Sequence, residues 1–361
     1  MISKAVPEGE YIVTVRERIL AALAWEEPDQ VPLTIYDALV PDRGTERDLR
    51  EIGVGMIARA AAHRVEHREV HFESQEYWDY GRKMVRHTIH TPVGELSRVE
   101  QREPIHGHTS TVEHYIKRPQ DYAVMEFVYE DAVYRDNYHA IREAQDIMGE
   151  RGLLIIRVAK GPIQEILYQM TGLERFAIDF YEHPELIDSL YELMVLRYDE
   201  LYDLAAEAPA EILQAADNIT ADVVGVERFR RYCMPCYERH SRRLAGTGKR
   251  LAVHMDGRLR ALMTPIGEAR FDILEAFTPA PTGDTTVREA REAWPKKALW
   301  LNFPSSVHIQ ESQAIAAHTR RLIDEAGSKR GLVIGISEDV PPEHLRRSLG
   351  MIAATIQEVG R

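Results

Sequence analysis

Cysteine is scarce in this 361-residue chain, where only Cys233 and Cys236 occur. Two thiols cannot build a disulfide framework, and their scarcity fits a reducing compartment, so a cytoplasmic location is expected. Long apolar runs are missing as well. No stretch approaches the roughly 18 uninterrupted apolar residues of a membrane span, and the N-terminal MISKAVPEGEYIVTV lacks the apolar run of a signal peptide. Positive charge is in deficit: 45 Lys and Arg against 58 Asp and Glu leave a formal net charge of −13. That deficit argues against nucleic acid as a partner, because neutralising phosphates takes clustered basic side chains. Glycine loops that cradle phosphates are absent too, with no GxGxxG after a first strand and no GxxxxGKS/T.

What the chain does have is 44 % hydrophobic and 29 % charged residues, enough to bury a large core. Residues 14–25 carry apolar positions at helical spacing behind a capping threonine, Thr14, and Pro28 stops the helix. A short strand over 31–38, a helix through 47–63 and a second strand over 68–74 follow. Residues 83–100 alternate around a Pro-Val-Gly turn and predict a β-hairpin. From 150 onward the rhythm is regular, with strands at 152–159, 211–217, 250–256, 271–277, 298–303 and 331–338. Helices fall between them and one closes the chain at 342–358. Eight strands separated by helices imply parallel pairing through crossover connections. The expected fold is α/β: a single (β/α)8 TIM barrel spanning 1–361, with an insertion after the second strand. Residues 75–150 would form that β-hairpin/helical insertion over the C-terminal face.

In such a barrel the chemistry comes from the C-terminal strand ends. Those ends carry Asp37, Glu73, Asp217 and Asn218, His254 and Asp256, Glu275, Asn302 and Glu338 in chain order. A mouth with this many carboxylates calls for a cation, either a metal or a positively charged substrate. His254-Met255-Asp256-Gly257 is the most informative piece. Residues two apart on a strand share a face, so His254 and Asp256 can converge on one ion while Gly257 lets the chain turn. Glu338 could add a third ligand and leave one position open, as in catalytic zinc. The alternative is that His254 and Asp256 shape the mouth through hydrogen bonds alone. Cys233 and Cys236 have CxxC spacing without a second pair, and Pro235 between them suits an early helical position, so both read as structural. His106 and His108 read as surface residues of the insertion.

RERILAALAWEEPDQVPL, TPVGEL, the GP…TGLERFAIDFYEHPELIDSL run at 161–190, VHMDG and GISEDVPPEHL together resemble the uroporphyrinogen decarboxylase superfamily, in the same order along nearly the whole chain. The resemblance implies the same barrel and a homodimer. The decarboxylases carry Arg-Gln-Ala-Gly-Arg-Tyr after the first strand to hold substrate carboxylates. Here that place reads LTIYDALVPDRG, with only Arg43 nearby, and an acidic mouth would repel an octacarboxylate. The cobalamin-dependent methyltransferases of the superfamily are closer in character. Their zinc site uses His-x-Cys and a later cysteine, and the matching positions here are His254, Asp256 and Glu338. Hard oxygen in place of sulfur makes a bound zinc a stronger Lewis acid or favours another divalent metal.

The expectation is therefore a metal-dependent methyltransferase that moves a methyl group between a small O- or N-methylated compound and a corrinoid on a separate protein. Asp217 or Glu275 would act as general acid or orient the substrate. Tyr36, Asn218 and Asn302 would bind substrate. The alternative is a decarboxylase acting on a smaller or less anionic substrate, with Asp37 or Asp217 steering protonation.

Overall fold

The computed structural model describes residues 13–102 and 109–359, so His106 and His108 lie outside the described residues. Among the described residues fourteen strands run in chain order: β1 (Leu33–Tyr36), β2 (Val54–Ala61), β3 (His63–His67), β4 (His71–Asp79), β5 (Arg82–Thr91), β6 (Gly94–Arg102), β7 (Thr109–Glu113), β8 (Ala132–Asp136), β9 (Gly152–Arg157), β10 (Ile212–Ala215), β11 (Arg250–His254), β12 (Ile273–Phe277), β13 (Ala298–Asn302) and β14 (Leu332–Ile336). Eight of them close a parallel barrel in the order β1-β14-β13-β12-β11-β10-β9-β2. Helices connect them along the outside. The fold is a (β/α)8 TIM barrel with an insertion after its second strand.

Short strands of aliphatic residues suit this position because both faces are covered. One set of alternate side chains, including Ile57, Leu153, Ile155, Ile212, Ala252, Ile273, Ala298 and Val333, fills the barrel interior. The other set packs under the outer helices in a separate, larger core. The helix Val15–Leu23 begins as the sequence predicts, with a capping box between Thr14 and Glu17, and packs against β2 and β9.

The second barrel strand is not where the sequence places it. The helix expected over 47–63 stops at Glu51, the chain turns at Gly53 with φ +86°, and Val54–Ala61 becomes β2 between β1 and β9. Ala-rich VGMIARAA has ordinary helical propensity, but pairing on both edges and burial of its first four residues override it. The stretch 68–74 instead enters β4, an exposed strand of an outer antiparallel sheet, β4-β5-β6-β7. Glu73 is therefore not at a barrel-strand end; it lies 3.5 Å from His90 in that sheet. The 83–100 hairpin is present as β5 and β6.

The insertion thus starts near residue 62, with β3 and β8 forming a second small sheet. It docks on the segment that follows β9. The Ile116 N–H donates to the Met170 carbonyl at 2.8 Å, and Arg98 Nη1 to Gln169 Oε1 at 3.3 Å. Gly172 sits at φ +70° against the His114 ring, where a Cβ would lie 2.6 Å from ring atoms, so glycine is required twice over.

Candidate active site at the barrel mouth

Strand periodicity carries the interior faces upward to the site. Two residues beyond Ile57 on β2 is Arg59, and two beyond Ile155 on β9 is Arg157. Gln214 follows Ile212 on β10, His254 follows Ala252 on β11, and Glu275 follows Ile273 on β12. Tyr36 occupies the corresponding place on β1. These six side chains ring the C-terminal mouth.

The register then decides who meets whom. His254 and Glu275 are paired neighbours across β11 and β12. His254 Nδ1 lies 2.6 Å from Glu275 Oε2, and His254 Nε2 lies 3.5 Å from Asp256 Oδ2. Glu275 is 1 % exposed, yet its oxygens are fully engaged: Oε1 accepts from the Tyr36 hydroxyl and Oε2 from Gln214 Nε2 at 2.7 Å. Burial alone would strip the charge from both His254 and Glu275. The Glu275 carboxylate, with Asp256 behind it, outweighs that penalty and pushes the imidazole pKa up to about 10. Reciprocally, burial tends to raise the Glu275 pKa, and the His254 charge with the Tyr36 and Gln214 hydrogen bonds brings it below its ordinary value. Immediately after Glu275, Ala276 takes φ +58° and the β12–β13 register shifts, a bulge that ends regular pairing at the rim.

Cations stand on the other side of Tyr36. The Arg59 guanidinium lies over the Tyr36 ring, 4.0 Å from its centroid. Arg157 is beside it, and burial together with the Arg59 charge lowers its pKa. Lys160 Nζ donates to the Ala216 carbonyl at 2.7 Å, and burial lowers its pKa against the pull of Asp217. The mouth is therefore divided into a cationic and an acidic sector rather than uniformly acidic. Sequence pattern alone does not reveal these three cations. Arg59 lies in a stretch with a helical pattern, and Arg157 and Lys160 flank the end of a strand that carries no acid.

The other candidates scatter. Asp217 is fully buried, accepting from the Tyr237 hydroxyl at 2.5 Å and from the Gly161 N–H; burial raises its pKa against those bonds. Asp37, one residue past inward-facing Tyr36, turns outward to a surface cleft it shares with Arg43 and Arg151. Asn218 is exposed, and its carbonyl accepts from the Tyr168 hydroxyl at 3.3 Å. Asn302 is fully buried and braces the rim: its Nδ2 donates to Thr278 Oγ1 at 3.2 Å and its Oδ1 accepts from the Ser337 N–H at 3.1 Å. Glu338 accepts from Ser305 Oγ. Gly257 serves close approach, since a Cβ there would fall 2.3 Å from Thr220 Cβ.

The expected metal ligands are only partly brought together. His254 and Asp256 are neighbours, but Glu338 is engaged with Ser305, and the carboxylate on the second His254 nitrogen is Glu275. Among the described residues no group of three His, Cys, Asp or Glu side chains is placed to hold a metal ion. His254, Asp256 and Glu338 do not fit a three-ligand centre. Cys233 and Cys236 are both buried at the start of the helix Met234–Leu244, and burial raises both thiol pKa values, as suits structural cysteines.

Residues 102–359, more than two thirds of the chain, match the family described as uroporphyrinogen decarboxylase (URO-D). The chain belongs to the uroporphyrinogen decarboxylase family. No curated protein matches it in sequence. Among solved structures, a methyltransferase from Methanosarcina mazei is similar over 96 % of this chain and 99 % of its own, with a TM-score of 0.58 and 12 % identity. At that identity the likeness establishes the shared barrel. One barrel scaffold can carry different chemistry, so the residues at the mouth decide the function. Among the described residues no helix is long and apolar enough to cross a membrane.

Proposed function

We propose that this member of the family is a methyltransferase that takes a methyl group from a small O- or N-methylated compound and passes it to a corrinoid on a separate protein. The observation that carries the reading is His254, held as an imidazolium between Glu275 and Asp256 at the barrel mouth. Breaking a methyl–oxygen or methyl–nitrogen bond leaves the electron pair on the departing heteroatom, which needs a proton. His254 Nε2, on the Asp256 side of the ring, supplies that proton. Glu275 fixes the ring from Nδ1, while Tyr36 and Gln214 hold Glu275 in place. The corrinoid, when docked, supplies the methyl acceptor; that part of the reading rests on the family resemblance. Among the described residues His254, Asp256 and Glu338 are not grouped for a metal ion, and the proton route proposed uses side chains of the chain itself.

The test uses purified protein, reduced cobalamin as acceptor, and a panel of methoxylated and N-methylated compounds, followed by the absorbance change on methylation of the cobalamin. Methylation that disappears in His254→Gln is expected. A panel giving no methylation, or an unimpaired His254→Gln, overturns the reading. The cationic sector favours a second reading, decarboxylation of a small carboxylic acid, which release of carbon dioxide would reveal.

A further inference from the structure

We infer that Arg59 and Arg157 form an anion subsite that holds a carboxylate of the substrate while its other end lies at His254. This deepens the methyl-transfer reading and rests on it only for what happens at the far end.

Arg59 and Arg157 stand on adjacent strands, β2 and β9, where Arg59 is in register with Ile155 and Ala61 with Arg157. Both are continuations of the interior rows that include Ile57 and Ile155, so both guanidinium groups project into the mouth. Their charges interact unfavourably with each other. Among the described residues neither has a carboxylate oxygen within 4 Å, whereas Arg18, Arg175 and Arg239 elsewhere in the chain each hold an aspartate in a close pair. Two like charges facing one lumen without a close counter-ion are an arrangement that an anion completes. Arg59 is held in place by its contact with Tyr36, its Cζ 4.0 Å from the ring centroid. Gln214, in register with Arg157 on β10, occupies the gap between the cationic pair and His254 and keeps a buried Oε1 without a partner.

The spacing limits the ligand. β9 and β11 are separated by β10 alone, so the Arg157 and His254 backbones are two strand spacings apart, about 10 Å. Side chains converging from that distance span a small molecule with a carboxylate at one end and the methylated heteroatom at the other. Two guanidinium groups suit one carboxylate and are too few for the eight of a tetrapyrrole.

The experiment is calorimetric titration of the full chain with carboxylic acids from acetate to 4-methoxybenzoate, each paired with its neutral amide. Wild type is expected to bind at least one acid about 10-fold or more tightly than its amide, a difference of about 1.4 kcal/mol. Arg157→Gln and Arg59→Gln should each reduce that ratio toward 1 while amide binding and the circular dichroism spectrum stay unchanged. No acid preferred over its amide by wild type, or a preference surviving in both variants, overturns the subsite. Acid binding through the arginines without any methyl transfer would leave the subsite standing and remove the methyltransferase reading. Methyl transfer from neutral compounds with no acid preference would do the reverse.

Discussion

His254 Nδ1 lies 2.6 Å from Glu275 Oε2, and the two residues are register partners on neighbouring barrel strands. A buried carboxylate thus keeps an imidazole charged where burial alone would neutralise it. The arrangement produces a proton donor that stays loaded across the physiological range.

A consequence for stability follows from the sign of that shift. The His254 pKa rises from 6.5 free to about 10 folded, so its contribution to stability is complete below pH 6.5 and declines as pH climbs through about 10. Thermal unfolding from pH 6 to 10 should show wild type losing stability relative to His254→Gln over that interval. Parallel curves for the two proteins would contradict it.

Removing Glu275 leaves His254 in a buried site without its main counter-ion. Glu275→Ala is expected to cost about 3–5 kcal/mol in denaturant unfolding. Glu275→Gln, which preserves shape, should cost less while lowering the His254 pKa, followed by NMR titration of the imidazole. An unmoved titration would show that Glu275 does not set the charge.

The Tyr36 hydroxyl donates to a buried, ionised acceptor. Tyr36→Phe should destabilise by about 1.5–3 kcal/mol, read from urea unfolding, because the Arg59 stack survives while the charged hydrogen bond to Glu275 and the weaker one accepted from Gln214 Nε2 are lost.

Glu338 and His254 should separate in methyl transfer. Glu338→Gln removes a charge that accepts from Ser305 and is expected to leave the rate within about 3-fold, while His254→Gln lowers it by about 10²–10⁴-fold. Equal losses would restore Glu338 to the centre of the site.

Gly172 joins the insertion to the barrel. Gly172→Ala meets both a positive φ and the His114 ring, with an expected loss of about 1–3 kcal/mol measured by thermal or urea unfolding.

Much of this architecture is written locally. Alternating apolar runs and helical faces predict eight parallel strands, and the two-residue period puts His254 and Asp256 on one face and Glu275 in the mouth. The Thr14 cap, the β5–β6 hairpin and the structural cysteines are equally local. What the sequence alone does not contain is contact between distant segments. Val54–Ala61 looks helical until β1 and β9 pair with both its edges, and only then does Arg59 reach the lumen. Glu338 resembles a third ligand until the loops place it on Ser305, and Glu275 resembles a free acid until register sets it against His254. Composition and period fix which face each residue takes. Closure of the barrel and its register decide which charges meet, because those pairings are made across strands far apart in the chain.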